Sequence, residues 1–183
     1  MTRMLIIGPP GAGKGTQAAR ISERLGVTAI STGDIFRANV KNETPLGIEA
    51  KKYIDAGNFV PDSVTNEMVR ARLQEDDVTD GFLLDGYPRT EYQAKWLMDH
   101  MADKIDGAII LEVPKEELYD RLALRGRDDD KEKESIDRRF EIFEQNICSI
   151  LPQLEAKNIP IERVDGVGEI DEVALFIGEE PEF

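Results

Sequence analysis

Met4-Leu5-Ile6-Ile7 runs directly into Gly8-Pro9-Pro10-Gly11-Ala12-Gly13-Lys14-Gly15-Thr16, and apolar Ala18, Ile21 and Leu25 then recur near helical spacing as far as Leu25. A short unbroken apolar run reads as a strand covered on both faces. The segment therefore predicts strand, glycine loop and helix in that order. Within it lies the spacing G-x-x-x-x-G-K, which lets the backbone wrap closely so that successive N–H groups face phosphate oxygens. Lys14 can reach the β- and γ-phosphates, and the helix behind the loop offers its positive end. In the general pattern a hydroxyl residue follows the lysine directly. Here Gly15 intervenes before Thr16, so the usual magnesium-bound hydroxyl is missing from its place and the metal must lean on other groups.

Three more apolar runs extend the pattern: Gly81-Phe82-Leu83-Leu84 ending at Asp85-Gly86, Ala108-Ile109-Ile110-Leu111 ending near Pro114, and Pro160 to Val164 followed by Asp165-Gly166. Thr28-Ala29-Ile30 is a weaker fifth strand. Pro114 suits position N1 of a helix with Glu116 and Glu117 in its first turn, and another helix is expected from about Glu169. Strands alternating with helices predict an α/β fold with a parallel sheet of about five strands and helices on both faces. Two stretches interrupt the alternation. Ser31 to Val60 reads as small helices without a core strand, and Gly126 to Glu134 is a strongly charged link. Both are expected above the carboxyl ends of the strands, where open α/β sheets bind ligands.

With 183 residues, 40% apolar and 33% charged, the chain is expected to form one domain spanning 1–183. No apolar run approaches the length of a membrane span, and only four apolar residues follow Arg3 before Gly8, too few for a signal peptide. One cysteine, Cys148, and one histidine, His100, leave neither an intrachain disulfide nor a multi-histidine metal site. A reducing cytoplasm is the expected setting. The net charge of −14 disfavours general binding to nucleic acid or anionic lipid, so phosphate chemistry here needs locally gathered cations. Such a gathering exists: Arg121, Arg125, Arg127, Arg138 and Arg139 put 5 of 13 arginines into 19 residues. They face either a polyanion or the neighbouring acids Asp128, Asp129, Asp130, Glu132, Glu134 and Asp137.

Gly13-Lys14-Gly15-Thr16-Gln17 resembles the phosphate loop of nucleoside monophosphate kinases, the adenylate kinases above all. Ser31-Thr32-Gly33-Asp34-Ile35-Phe36-Arg37 resembles that family's acceptor-nucleotide segment. Gly57-Asn58-Phe59-Val60-Pro61-Asp62 looks like the return from its acceptor-binding insertion, and Asp85-Gly86-Tyr87-Pro88-Arg89 with Gln93 is similar to its D-G-[FY]-P-R…Q signature. The likeness runs in order from Met4 to about Val173. It implies a P-loop kinase fold with an AMP-binding insertion at 31–60 and a short lid at 125–135, about ten residues without zinc-binding cysteines. It implies reversible phosphoryl transfer from Mg-ATP to AMP giving two ADP, with Mg²⁺ but no zinc, by a monomer.

The same resemblance distributes roles. ATP would meet Gly11, Ala12, Gly13, Lys14, Gly15, Thr16, Arg125 and Gly168. AMP would meet Thr32, Arg37, Asn58, Phe59, Val60, Gly86, Tyr87, Pro88, Arg89, Gln93, Arg127 and Arg139. Lys14, Arg89, Arg125, Arg127 and Arg139 would serve the transfer itself. Asp85, closing an apolar strand, would hold Mg²⁺ through water, although an Asp before Gly also suits a turn. Thr32 would read the acceptor base, or else cap the helix expected from Gly33 to Val40. Phe59 would frame the acceptor or lie in the core. Arg138 and Arg139 compete for one role, and Ser135 to Phe140 favours Arg139. Trp96, His100, Cys148 and the methionines are read as helix and core residues.

Overall fold

A computed structural model describes residues 2–9, 12–125 and 133–165. Five strands, β1 (Thr2–Ile7), β2 (Thr28–Ser31), β3 (Gly81–Asp85), β4 (Gly107–Glu112) and β5 (Ile161–Asp165), form one parallel sheet in the order β2-β3-β1-β4-β5. The five expected strands are all present, each within two residues of its predicted bounds. The sheet is wrapped by α1 (Lys14–Leu25), α4 (Asp62–Arg72), α5 (Glu91–Met101), α6 (Lys115–Arg125) and α7 (Lys133–Ala156), while α2 (Thr32–Lys41) and α3 (Pro45–Asp55) follow β2.

The alternation of side chains along β1 explains its unbroken apolar run. Met4 and Ile6 join one buried cluster with Ala18 and Ile21 of α1 and Leu118 of α6. Leu5 and Ile7 point the other way, into a larger cluster with Met68 of α4, Leu97 of α5 and Leu154 of α7. A strand covered on both faces needs no polar side. The start of β1 is pinned by Arg3, whose Nε and Nη2 reach the two Asp106 carboxylate oxygens at 3.1 and 3.0 Å, just ahead of β4.

Two boundaries differ from the sequence reading. Helix α6 begins at Lys115, and the Pro114 carbonyl accepts from Leu118 N–H at 3.2 Å, so Pro114 is the cap rather than the first helical residue. Helix α2 begins at Thr32, and its cap is Ser31, whose hydroxyl accepts from Asp34 N–H at 3.1 Å. The helix expected near Glu169 and most of the charged link lie outside the described residues.

Helices α2 and α3 meet at a backbone contact. The Thr44 hydroxyl accepts from Gly47 N–H at 3.0 Å and donates to Asn39 Oδ1 at 2.7 Å, which holds α3 against the end of α2. A Cβ on Gly47 would lie 2.1 Å from the Asn39 carbonyl oxygen. No side chain fits there. Gly47→Ala is therefore expected to destabilise the protein by about 3 kcal/mol, the upper range for overpacking. Urea denaturation measures this, and an unchanged midpoint would mean that the two helices part without cost.

Candidate active site

The carboxyl ends of β2, β3 and β1 stand side by side. Register pairs Ser31 with Asp85 and Asp85 with Ile6, so the residues just beyond these strands share one edge of the sheet.

At the end of β1, Ala12 N–H donates to the Pro9 carbonyl at 3.1 Å and Gly13 caps α1 in the left-handed region, with φ 80°. Ala12 is buried, whereas Gly13, Gly15 and Thr16 are exposed. Lys14 Nζ lies 3.7 Å from Asp85 Oδ1, and a Cβ on Gly15 would sit 3.6 Å from Asp85 Oδ2. The Asp85 carboxylate therefore lies over the Lys14-Gly15 turn. Its Oδ1 is buried and accepts no hydrogen bond. A buried carboxylate oxygen without a donor suits a hydrated cation, because it can take the water protons that no protein group supplies. The residues present fit magnesium held through water. Among the described residues no cluster of His, Cys, Asp and Glu could ligate a metal directly.

Beyond β2 and β3, Thr32, Gly86 and Arg89 come together. Thr32 Oγ1 donates to the Gly86 carbonyl at 3.4 Å. Gly86 adopts φ 84°, and a Cβ there would meet Arg89 Nη2 at 2.8 Å and Thr32 Oγ1 at 3.0 Å. The backbone conformation favours glycine here, and any side chain would also push the Arg89 guanidinium aside. Because Ser31 caps α2, the capping reading of Thr32 is set aside. The Thr32 hydroxyl is buried beside Arg89.

Gln93 sits on the first turn of α5, with Thr90 as the helix cap. Its Oε1 accepts from Arg89 N–H at 2.8 Å, and its Nε2 donates to Asp62 Oδ1 at 2.9 Å. Tyr87 and Pro88, joined by a cis peptide, are buried. The Tyr87 hydroxyl donates to Asn66 Oδ1 at 2.6 Å, and burial first, then the charges of Asp62 and Glu67, push its pKa far above the usual tyrosine value. Tyr87 thus stays a neutral donor facing inward, and its side chain serves the core.

The remaining candidates are spread around this edge. The Arg37 guanidinium folds over Gly33 and pairs with Asp34 at 2.5 Å in an exposed i,i+3 pair. Such pairs are worth little and exchange partners readily. Asn58 N–H donates to the Tyr53 carbonyl at 2.9 Å to close α3, and Val60 packs against the core. Phe59 is 99% exposed, which overturns the core reading of that residue. Arg138 is exposed and Arg139 half-buried on α7. Asp137 pairs with Lys115 at 2.9 Å and accepts from the Tyr119 hydroxyl. Cys148 is exposed rather than core, and Trp96 stacks on His100 under the Arg70 guanidinium. Gly11, Arg127, Gly168 and the side chains of Arg121 and Arg125 lie outside the described residues.

Asp62 enters the sequence reading only as the end of the Gly57–Asp62 segment, without a role, and Asn66 not at all. Val64, Met68 and Val69 do mark α4 as amphipathic, but its buried Thr65 and Asn66 blur the stripe. No helix of the described residues is long and apolar enough to cross a membrane.

A phosphate loop at the end of the central strand, faced by a carboxylate, with a buried hydroxyl and an arginine beyond β2 and β3, defines a P-loop phosphotransferase. A family model described as adenylate kinase matches residues 6–159. The chain is 58% identical over 180 residues to an adenylate kinase of Pseudarthrobacter chlorophenolicus, covering 94% of this chain and 93% of that protein. It is 56% identical to those of Renibacterium salmoninarum and Kocuria rhizophila, covering 94% of this chain and 92% and 95% of theirs. The chain belongs to the adenylate kinase family.

Proposed function

We propose that this chain moves a phosphoryl group reversibly between Mg-ATP and AMP, giving two ADP, with the donor on the Lys14 loop and the acceptor over Thr32, Gly86 and Arg89. One observation supports the division: beyond the ends of three adjacent strands stand, in order, the buried Thr32, a carboxylate whose Oδ1 accepts no hydrogen bond, and the glycine-rich loop with Lys14. Gly13, Lys14, Gly15 and Thr16, with Ala12 and Gly11, cradle the donor phosphates. Arg89 and Arg37 take the acceptor phosphate, Arg37 by leaving its weak pair with Asp34. Thr32 and Gln93 read the base, while Asn58, Phe59, Val60 and the backbone of Gly86-Tyr87-Pro88 frame it. Residues 31–60 form the acceptor-binding insertion and 125–135 a short lid, which brings Arg125, Arg127 and Arg139 to the phosphates. Gly168 lies by the ATP adenine.

The acceptor phosphate oxygen is already a nucleophile, so no general base or covalent enzyme intermediate is required. The residues align the two nucleotides and neutralise charge as the group moves. Magnesium, when bound, supplies charge neutralisation at the ATP phosphates, and Asp85 would hold it through its water shell. The protein works as a cytoplasmic monomer. Its partners are ATP, AMP and ADP, without nucleic acid or membrane.

ADP formation from ATP against AMP, CMP, UMP and GMP tests the reading, with AMP expected to dominate. A preference for a pyrimidine acceptor would make this a UMP/CMP kinase, and nucleotide binding without turnover would make it a switch. In the same panel Thr32→Ala is expected to erode the preference for AMP over CMP and UMP by about tenfold, more than it slows AMP itself, because a site built around a hydrogen bond loses discrimination with it. Equal losses on all three acceptors would assign Thr32 to structure alone.

A further inference from the structure

We infer that Asp62 is a specificity-positioning residue: it fixes which way round the Gln93 carboxamide faces, and so selects a 6-amino over a 6-oxo purine as acceptor. The inference rests on Gln93 reading the acceptor base. A carboxamide has two amide protons on one side and two lone pairs on the other, and turning it over exchanges them. Here both neighbours are one-sided. An ionised carboxylate only accepts, so Asp62 Oδ1, 2.9 Å away, demands the Nε2 side. A backbone N–H only donates, so Arg89 N–H, 2.8 Å away, demands the Oε1 side. The flipped carboxamide would set oxygen against carboxylate and N–H against N–H, in a buried position where unmet polar groups are costly.

Asp62 is itself fixed. Its Oδ2 accepts from the Thr90 hydroxyl at 3.0 Å, and that hydroxyl caps α5 by accepting from Gln93 N–H at 3.1 Å. The carboxylate therefore holds the first turn of α5 at two points and cannot swing away without freeing both.

One amide proton and one Oε1 lone pair remain on Gln93 for a ligand. The edge of a 6-aminopurine offers a donating amino group beside an accepting N1, which this pair satisfies together. A 6-oxopurine reverses both, with an accepting O6 beside a donating N1–H. To meet it, Gln93 must turn over against Asp62 and Arg89. The discrimination therefore lies in two groups that need not touch the base, and Asp62 is the one of them that a side-chain substitution can change.

The test compares kcat/KM for AMP and IMP in wild type, Asp62→Asn, Thr90→Ala and Gln93→Met. Asparagine keeps the shape and can still accept from Gln93 Nε2, but its own amide can also donate, so it tolerates either sense. Asp62→Asn is expected to lower the AMP:IMP ratio by at least about tenfold, chiefly by improving IMP. Asp62→Ser, whose hydroxyl also both donates and accepts, is expected to do the same and serves where the asparagine variant fails to fold. Thr90→Ala loosens Asp62 and the helix cap without changing the amide sense. It is expected to lower the melting temperature and keep the ratio. An unchanged ratio in both Asp62 variants, or an equal fall in Thr90→Ala, overturns the inference. Gln93→Met separates the two levels. If it leaves the ratio intact, Gln93 does not read the base and the underlying assignment falls with it. If it collapses the ratio while the Asp62 variants do not, only the role of Asp62 is lost.

Discussion

Lys14→Met is expected to cut kcat about a thousandfold, ~4 kcal/mol of barrier, while the circular dichroism spectrum stays that of the wild type. Methionine keeps the length and apolar stem of lysine but carries no charge. The side chain contributes little to packing: Lys14 is partly exposed on the first turn of α1, with Asp85 Oδ1 3.7 Å from its ammonium. What is lost is a cation placed where negative charge builds up on the β- and γ-phosphates during transfer. A near-normal rate in a folded variant would remove the phosphate loop from the mechanism. Asp85 should be little disturbed, because a hydrated metal bound with nucleotide would still serve its Oδ1.

Arg127→Ala is expected to lower kcat by at least about a hundredfold, ~2.7 kcal/mol, with KM for ATP and AMP changing much less. Donor and acceptor phosphates repel each other before transfer, and charge spreads over the equatorial oxygens as the phosphoryl group moves. A guanidinium fork can meet two of those oxygens at once. Contacts that strengthen in the transition state set kcat, whereas uniform ones set KM. Arg127→Lys should recover only part of the rate, because an ammonium cannot reproduce the planar fork. Steady-state kinetics on both variants decide the point. Raised KM with kcat preserved would make Arg127 a ground-state contact.

The central strands are legible in the sequence because burial on both faces leaves them no polar residues. Strand β2 is faint for a physical reason: it is a four-residue edge strand, and only Ile30 of it is buried. The phosphate loop is legible because its chemistry is local, with backbone and lysine drawn from nine consecutive residues. Ser31 and Thr32 show where local reading stops. Either hydroxyl could cap α2, and a shift of one residue in the helix start decides which one remains at the acceptor edge. Phe59 has an apolar side chain wherever it sits, so sequence alone leaves its exposure open. The Asp62 clamp is illegible for another reason. It joins residues 28 and 31 apart, and no spacing rule relates an acid at the start of one helix to a glutamine on the first turn of another.

The place of β1 between β3 and β4 also imposes an order in time. Thr2 pairs with Gly81 and Met4 with Gly107, so the strand that carries the phosphate loop is made first and completed late. While a ribosome is still elongating the chain, β1 has no neighbour until residues 81–85 emerge and lacks its second until 107–112 follow. The helices of the insertion are made in between, and they hold their own contacts through Thr44 and Gly47. Closing long loops before any strand pairs is slow. Both sides of the chemistry therefore wait for β3: the acceptor edge needs Gly86 and Arg89 just beyond it, and the loop-bearing strand needs it as its first neighbour.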